Sequence, residues 1–189
     1  MNNVNIYIES NPNPNSLKFV TNSMLVDEGV VKDYPNIARA DDSPLAKKLF
    51  GFSFVKRVFI MSNFITITKD EKISWEEIKM ELRDYITRYL EEGNVIISSN
   101  KEKQLNKLKS KNNNIDEKIK KILDEYIKPA VEQDGGAINF ESYKNGKVIV
   151  SLQGACSGCP SSTITLKSGI ENLLKRFIPE VKEVIAEEI

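Results

Sequence analysis

Two residues, Cys156 and Cys159, are the only cysteines in the chain, and their spacing is Cys-x-x-Cys. The thiolate, not the thiol, binds soft metals and attacks disulfides, so the surroundings must favour charged sulfur. The stretch Gly154-Ala155-Cys156-Ser157-Gly158-Cys159-Pro160 is built for this. Pro160 suits the first turn of a helix, where its missing N–H costs nothing. The unpaired amides and dipole of a helix start favour negative charge. Gly154 and Gly158 let the backbone turn tightly beside a bound ion. No charged residue lies between Ser151 and Leu166, so amides must supply the positive field.

A tetrahedral zinc site or an ordinary iron–sulfur cluster takes four protein ligands. One chain offers two thiols and no histidine. Two chains about a two-fold axis would present four thiolates, and such symmetric dimers are the commonest oligomers. Three other readings of the pair stay open on spacing alone. A thioredoxin-like redox pair would sit in a βαβ context, which the flanking pattern does not show. A structural disulfide would close only a tiny loop in a chain without secreted character. Two cysteines merely buried at a strand–helix junction are the plainest alternative.

The elements around the loop form one small domain. A helix starts at Ile115 or Asp116, with Ile119, Ile122, Leu123, Tyr126 and Ile127 on its apolar face. Lys128-Pro129 should kink or end it. Asp134-Gly135-Gly136 is a turn that either lies near the cysteine loop or simply precedes a strand. Ala137 to Tyr143 and Lys147 to Leu152 form a hairpin across Asn145-Gly146. Leu166, Ile170, Leu173, Leu174 and Phe177 stripe a second helix. Pro179 ends it, and Val181, Val184 and Ile185 suggest a last strand.

The first half reads as a separate domain. Val4 to Ile8 alternates as a strand, and Leu17 to Val20 resumes one after the turn-rich Asn11-Pro12-Asn13-Pro14-Asn15-Ser16. That Pro-Asn run is a stiff connection or a recognition loop. Residues 21–42 mix loop and short strand. Ser43-Pro44 starts a short helix that ends at Gly51. A hairpin runs through Phe59, Met61-Ser62-Asn63 and Phe64. Ser74 and Glu77 fit a capping box for a helix whose stripe is Trp75, Ile78, Leu82, Tyr85, Ile86, Tyr89 and Leu90. Core packing is the simpler use of those aromatics than a ligand box.

Between the halves, residues 99–114 hold five lysines against one glutamate, with many Ser, Asn and Gln. The lysines are not interleaved with aromatics, which favours a solvated linker over a nucleic-acid arm. The whole chain of 189 residues balances 27 basic against 27 acidic residues, which argues against nucleic acid or an anionic membrane as the main partner. There is no run long enough to span a bilayer. The beginning lacks a secretory pattern and an Arg-rich transit pattern, so a cytoplasmic, reducing location is expected. The expected fold class is α+β: two small mixed domains, residues 1–98 and 115–189, joined by a flexible polar linker, 99–114. The second domain should be a short sheet with two helices.

Longer motifs narrow the choice. Lys128-Pro129-Ala130 through Asp134-Gly135-Gly136, then Leu152-Gln153-Gly154-Ala155-Cys156-Ser157-Gly158-Cys159-Pro160-Ser161-Ser162, then Thr165-Leu166-Lys167-Ser168-Gly169-Ile170-Glu171, closely resemble the C-terminal domain of NifU. Pro12 through Phe19, Ser43 through Phe50, and Val58-Phe59-Ile60 with Phe64 through Lys69 resemble the N-terminal domain of the same NifU-like, or Nfu, family. The resemblance implies a carrier rather than an enzyme. It implies a 4Fe–4S cluster bridging a homodimer through Cys156 and Cys159, loaded by the iron–sulfur assembly machinery and passed to apo-proteins. It also implies that the cluster is exposed and labile. A 2Fe–2S cluster satisfies the same ligand count. The first domain, with no Cys or His, is expected to dock clients or the second domain. The competing classes are a thiol–disulfide oxidoreductase and a zinc-bridged interaction protein.

Overall fold

A computed structural model of the chain describes residues 3–98, 114–157 and 160–188. They form two compact units, divided between residues 101 and 102. The expected linker lies outside the described residues except for Asn114, which already opens a helix.

The first unit is a five-stranded antiparallel sheet with helices on one face. Its strands are β1 (Ile6–Ser10), β2 (Ser16–Thr21), β3 (Val31–Tyr34), β4 (Val55–Met61) and β5 (Phe64–Lys69). The order across the sheet is β1-β2-β5-β4-β3. Ser62 supplies the positive φ (48°) of the tight β4–β5 turn. Helix α1 (Pro44–Leu49) is capped as expected, with Ser43 Oγ accepting from the Ala46 N–H at 3.1 Å. Helix α2 (Trp75–Glu91) is capped by Ser74, which accepts from the Glu76 N–H, one residue earlier than a capping box would place the bond.

Leu45, Leu49, Ile78, Leu82 and Ile86 bury against Leu17, Phe19, Val58, Ile60, Ile65 and Ile67 of the sheet. The helical stripe is therefore core packing. Leu82 is fully buried, so Leu82→Ala should cost about 2–5 kcal/mol, seen as a lowered denaturation midpoint. The opposite face of the sheet carries Phe59 and Phe64, rings 6.0 Å apart, with the Lys18 ammonium 4.5 Å over Phe64.

The end of this unit is tied back to α1. The Ser98 N–H donates to the Asp42 carbonyl, and the Ser43 hydroxyl donates to the Ile96 carbonyl, both at 2.7 Å. The Asp42 carboxylate also takes bonds from Lys32 and the Tyr34 hydroxyl. Burial pushes this carboxyl upward, but the bonds from Lys32 and Tyr34 outweigh it and hold it below its ordinary value. Its stabilisation is therefore present above the unfolded value and lost as pH falls through the lower folded one. Wild type should lose stability on acidification below about pH 4 that Asp42→Asn does not lose, measured by thermal melts across pH.

The second unit starts with α3 (Asn114–Ile122), a π-helical segment (Leu123–Ile127) and α4 (Lys128–Gln133). The expected interruption falls just before Pro129: the regular α-helix ends at Ile122 and a new one starts at Lys128. The chain relaxes into a π turn, with the Lys128 N–H donating to the Leu123 carbonyl, and Pro129 then sits in the first turn of the next helical segment. Strands β6 (Gly136–Lys144) and β7 (Lys147–Gly154) pair antiparallel across an Asn145-Gly146 turn, whose residues have φ of 52° and 84°. Helix α5 (Pro160–Phe177) crosses back, and β8 (Glu183–Glu188) adds to β7 in parallel, so the cysteines do lie in a βαβ unit, contrary to the sequence expectation. The order is β6-β7-β8. Ile119, Leu123, Val131, Ile138, Val148, Val150, Leu152, Ile170, Leu174 and Val184 form the core. The α+β class and two-unit layout expected from the sequence hold. No helix among the described residues is long and apolar enough to cross a membrane.

Candidate metal centre

The cysteine loop runs from the end of β7 to the start of α5. Strand β7 is the middle strand, paired with β8 as far as Leu152 and with β6 to its last residue, Gly154. Gly154 ends it with φ of 65°, a conformation that favours glycine, and turns the chain into Ala155-Cys156-Ser157. The Ser157 N–H donates to the Gly154 carbonyl at 3.2 Å and closes the turn. Cys156 is 6% exposed and packs with the core of its unit. Cys159 and Gly158 lie outside the described residues. Helix α5 begins at Pro160, directly after Cys159, as the sequence predicts. Among the described residues, no three Cys, Asp or Glu side chains gather closely enough to hold a metal.

The Asp134-Gly135-Gly136 turn lies against this loop. Gly135 (φ 81°) follows α4 as a left-handed helix stop. Its carbonyl accepts from the Ala155 N–H at 3.2 Å, which ties the α4–β6 corner to the loop. Gly136 pairs with Gly154 in the sheet. A Cβ on Gly136 would stand 2.9 Å from the Cys156 sulfur, 3.3 Å from its amide nitrogen and 2.6 Å from the Gln153 carbonyl oxygen. The missing side chain leaves the space that the sulfur fills. Cys156 is buried against this corner.

Gly136 was missing from the sequence-derived site. The turn needs only one left-handed residue, and Gly135 supplies it. The second glycine lacks that reason, and a glycine with ordinary backbone angles signals close packing. That signal was legible in the Gly-Gly pair. Its target, Cys156, lies 20 residues away and was not.

The donor chemistry suits a soft metal. The placed sulfur lies at a strand–helix junction, packed with the core of its unit, in a stretch without charged side chains. Fold and loop together define a two-domain α+β protein whose second domain presents a Cys-x-x-Cys pair ahead of a helix.

Residues 6–93 match the family model described as the scaffold protein Nfu/NifU N-terminal domain. Residues 119–185 match the NifU-like domain. With both domains present, the chain belongs to the NifU-like (Nfu) family, whose curated members here are named iron–sulfur cluster scaffolds. A protein of Drosophila willistoni named NFU1 iron–sulfur cluster scaffold homolog, mitochondrial, is 41% identical over 179 residues, covering 95% of this chain and 62% of that protein. Its Drosophila persimilis counterpart, with the same name, is 40% identical, covering 95% and 64%. This chain thus spans under two thirds of the length of either relative. The solution structure of a NifU-like protein from Saccharomyces cerevisiae is 28% identical with a TM-score of 0.43, covering 51% of this chain and 86% of that one.

The relatives overturn the cytoplasmic expectation, since their names place them in the mitochondrion. That expectation came from the absence of an Arg-rich transit pattern at the first residues. Where a chain starts does not report where its folded part works.

Proposed function

We propose that this chain is a non-enzymatic iron–sulfur carrier. Two copies hold one 4Fe–4S cluster as cargo, through Cys156 and Cys159 of each. The assembly machinery loads the cluster, and apo-proteins receive it. Residues 115–189 carry the cargo, residues 1–98 dock partners, and residues 99–114 tether the two.

The observation that carries this reading is the seat of Cys156. Its sulfur is held in a fitted space opposite Gly136, on a loop that leads straight into a helix start. A helix start favours thiolate, which a cluster ligand must be. The sequence count of two thiols per chain then calls for a second chain. The scaffold family agrees with that chemistry.

The test is anaerobic reconstitution with iron and sulfide, reading iron content and oligomer size in one sample. About two irons per chain in a dimer is the expected result, since one 4Fe–4S serves two chains. Incubation with an apo-protein that takes a 4Fe–4S cluster should then transfer the chromophore. Colourless dimers with half a zinc per chain, or disulfide exchange without metal, would overturn the assignment.

A further inference from the structure

We propose that the second copy seats on the exposed face of α5 beside the cysteine loop, with Ile164 as its apolar contact and Gly169 as the point of close approach. This rests on the two-chain reading above and names the surface that reading leaves open.

Helix α5 buries Ile170 and Leu174 in the core of its unit. The helical period puts Ile164, Thr165, Ser168, Gly169 and Asn172 on one outward face. All five are exposed, and Ile164 is 68% exposed, more than any other large hydrophobic side chain described. Ile164 stands five residues past Cys159. A dimer that shares a metal between two Cys-x-x-Cys loops must bring surfaces next to those loops together.

Gly169 points the same way independently. Glycine in a helix interior destabilises it relative to alanine. Its backbone angles are ordinary, and a Cβ built there would meet nothing within 4 Å. Its own chain therefore gives no reason for a glycine. A neighbouring backbone packed closely against the helix would. Charge also fits near the loop: those five residues carry none, and the cations that continue the same face, Lys175 and Arg176, lie in the last turn of the helix, away from the cysteines. The flanking Glu171 is engaged by Lys175 and by the Val184 N–H. In a two-fold contact a surface meets itself, so any charge on it would face its own copy.

The test compares full-length wild type, Ile164→Glu, Gly169→Ala and Phe177→Ser after anaerobic reconstitution. Phe177 is 53% exposed at the far end of α5, about 20 Å along the helix, and serves as the control. Dimer dissociation is read by anaerobic sedimentation over a dilution series, and apo stability by thermal melt. Both Ile164→Glu and Gly169→Ala should raise the dimer dissociation constant at least tenfold, with Phe177→Ser within threefold of wild type. Gly169→Ala should meanwhile melt higher than wild type in the apo form. A smaller change in either α5 variant, a like change in the control, or a lower apo melt for Gly169→Ala overturns the proposal. If wild type itself fails to form an iron-loaded dimer, the carrier reading falls first and takes this inference with it.

Discussion

Cys156→Ser should abolish cluster binding while the apo protein still folds. A serine oxygen is a hard donor that stays protonated at neutral pH, whereas a cluster needs soft thiolate. In the proposed two-chain site the change would remove two of four ligands at once, because both copies would carry it. Two remaining thiolates cannot close an ordinary cluster. The cost to the fold is modest. Cys156 is buried, and a hydroxyl in place of the thiol costs about 1–3 kcal/mol. Iron analysis after reconstitution and a thermal melt of the apo form separate the two effects. Cys159→Ser should lose the cluster equally. Wild-type iron content in either variant would remove these cysteines from the site.

Gly136→Ala should cost most of the cluster without touching a ligand. The added methyl would stand 2.9 Å from the Cys156 sulfur and 2.6 Å from the Gln153 carbonyl oxygen. The second contact is with backbone, which cannot swing aside as a side chain can. The β6–β7 pair must part there, or the cysteine loop must shift. Overpacking of this kind costs about 1–3 kcal/mol of stability. The sulfur moves with the loop, so iron retained after desalting should fall several-fold. Gly135→Ala makes the useful comparison. Its φ of 81° penalises alanine through backbone strain. Equal cluster retention in Gly136→Ala and wild type, with matched melting temperatures, would show that the sulfur's position is not set from this corner.

The sequence was most legible where local chemistry decides structure. Ser43-Pro44, Asn145-Gly146 and the α2 stripe each name their own conformation. Strand β3 was not legible, because it is a polar edge. Lys32 pairs with Asp42, and Asp33 with Arg57 of the neighbouring β4, so ion pairs replace the apolar alternation that marks a strand. The interruption at Lys128-Pro129 was legible in the missing N–H of Pro129, but its form was not. The π turn before it, which absorbs that loss, has no signature in residue types. At the site, the cysteines and the helix start could be read directly. The seat opposite Cys156 could not, since it exists only once β6 and β7 pair.

That pairing bears on how often the protein can be used. Strand β7 bonds to neighbours on both sides, and Val148, Val150 and Leu152 are fully buried. Its amides should be among the slowest in the chain to exchange with deuterated water, opening only when the whole unit unfolds. The cysteine loop hangs from the end of this strand. In the proposed carrier, loading and release would act on the loop while this strand stays shut. Such a carrier would be ready for its next round without refolding.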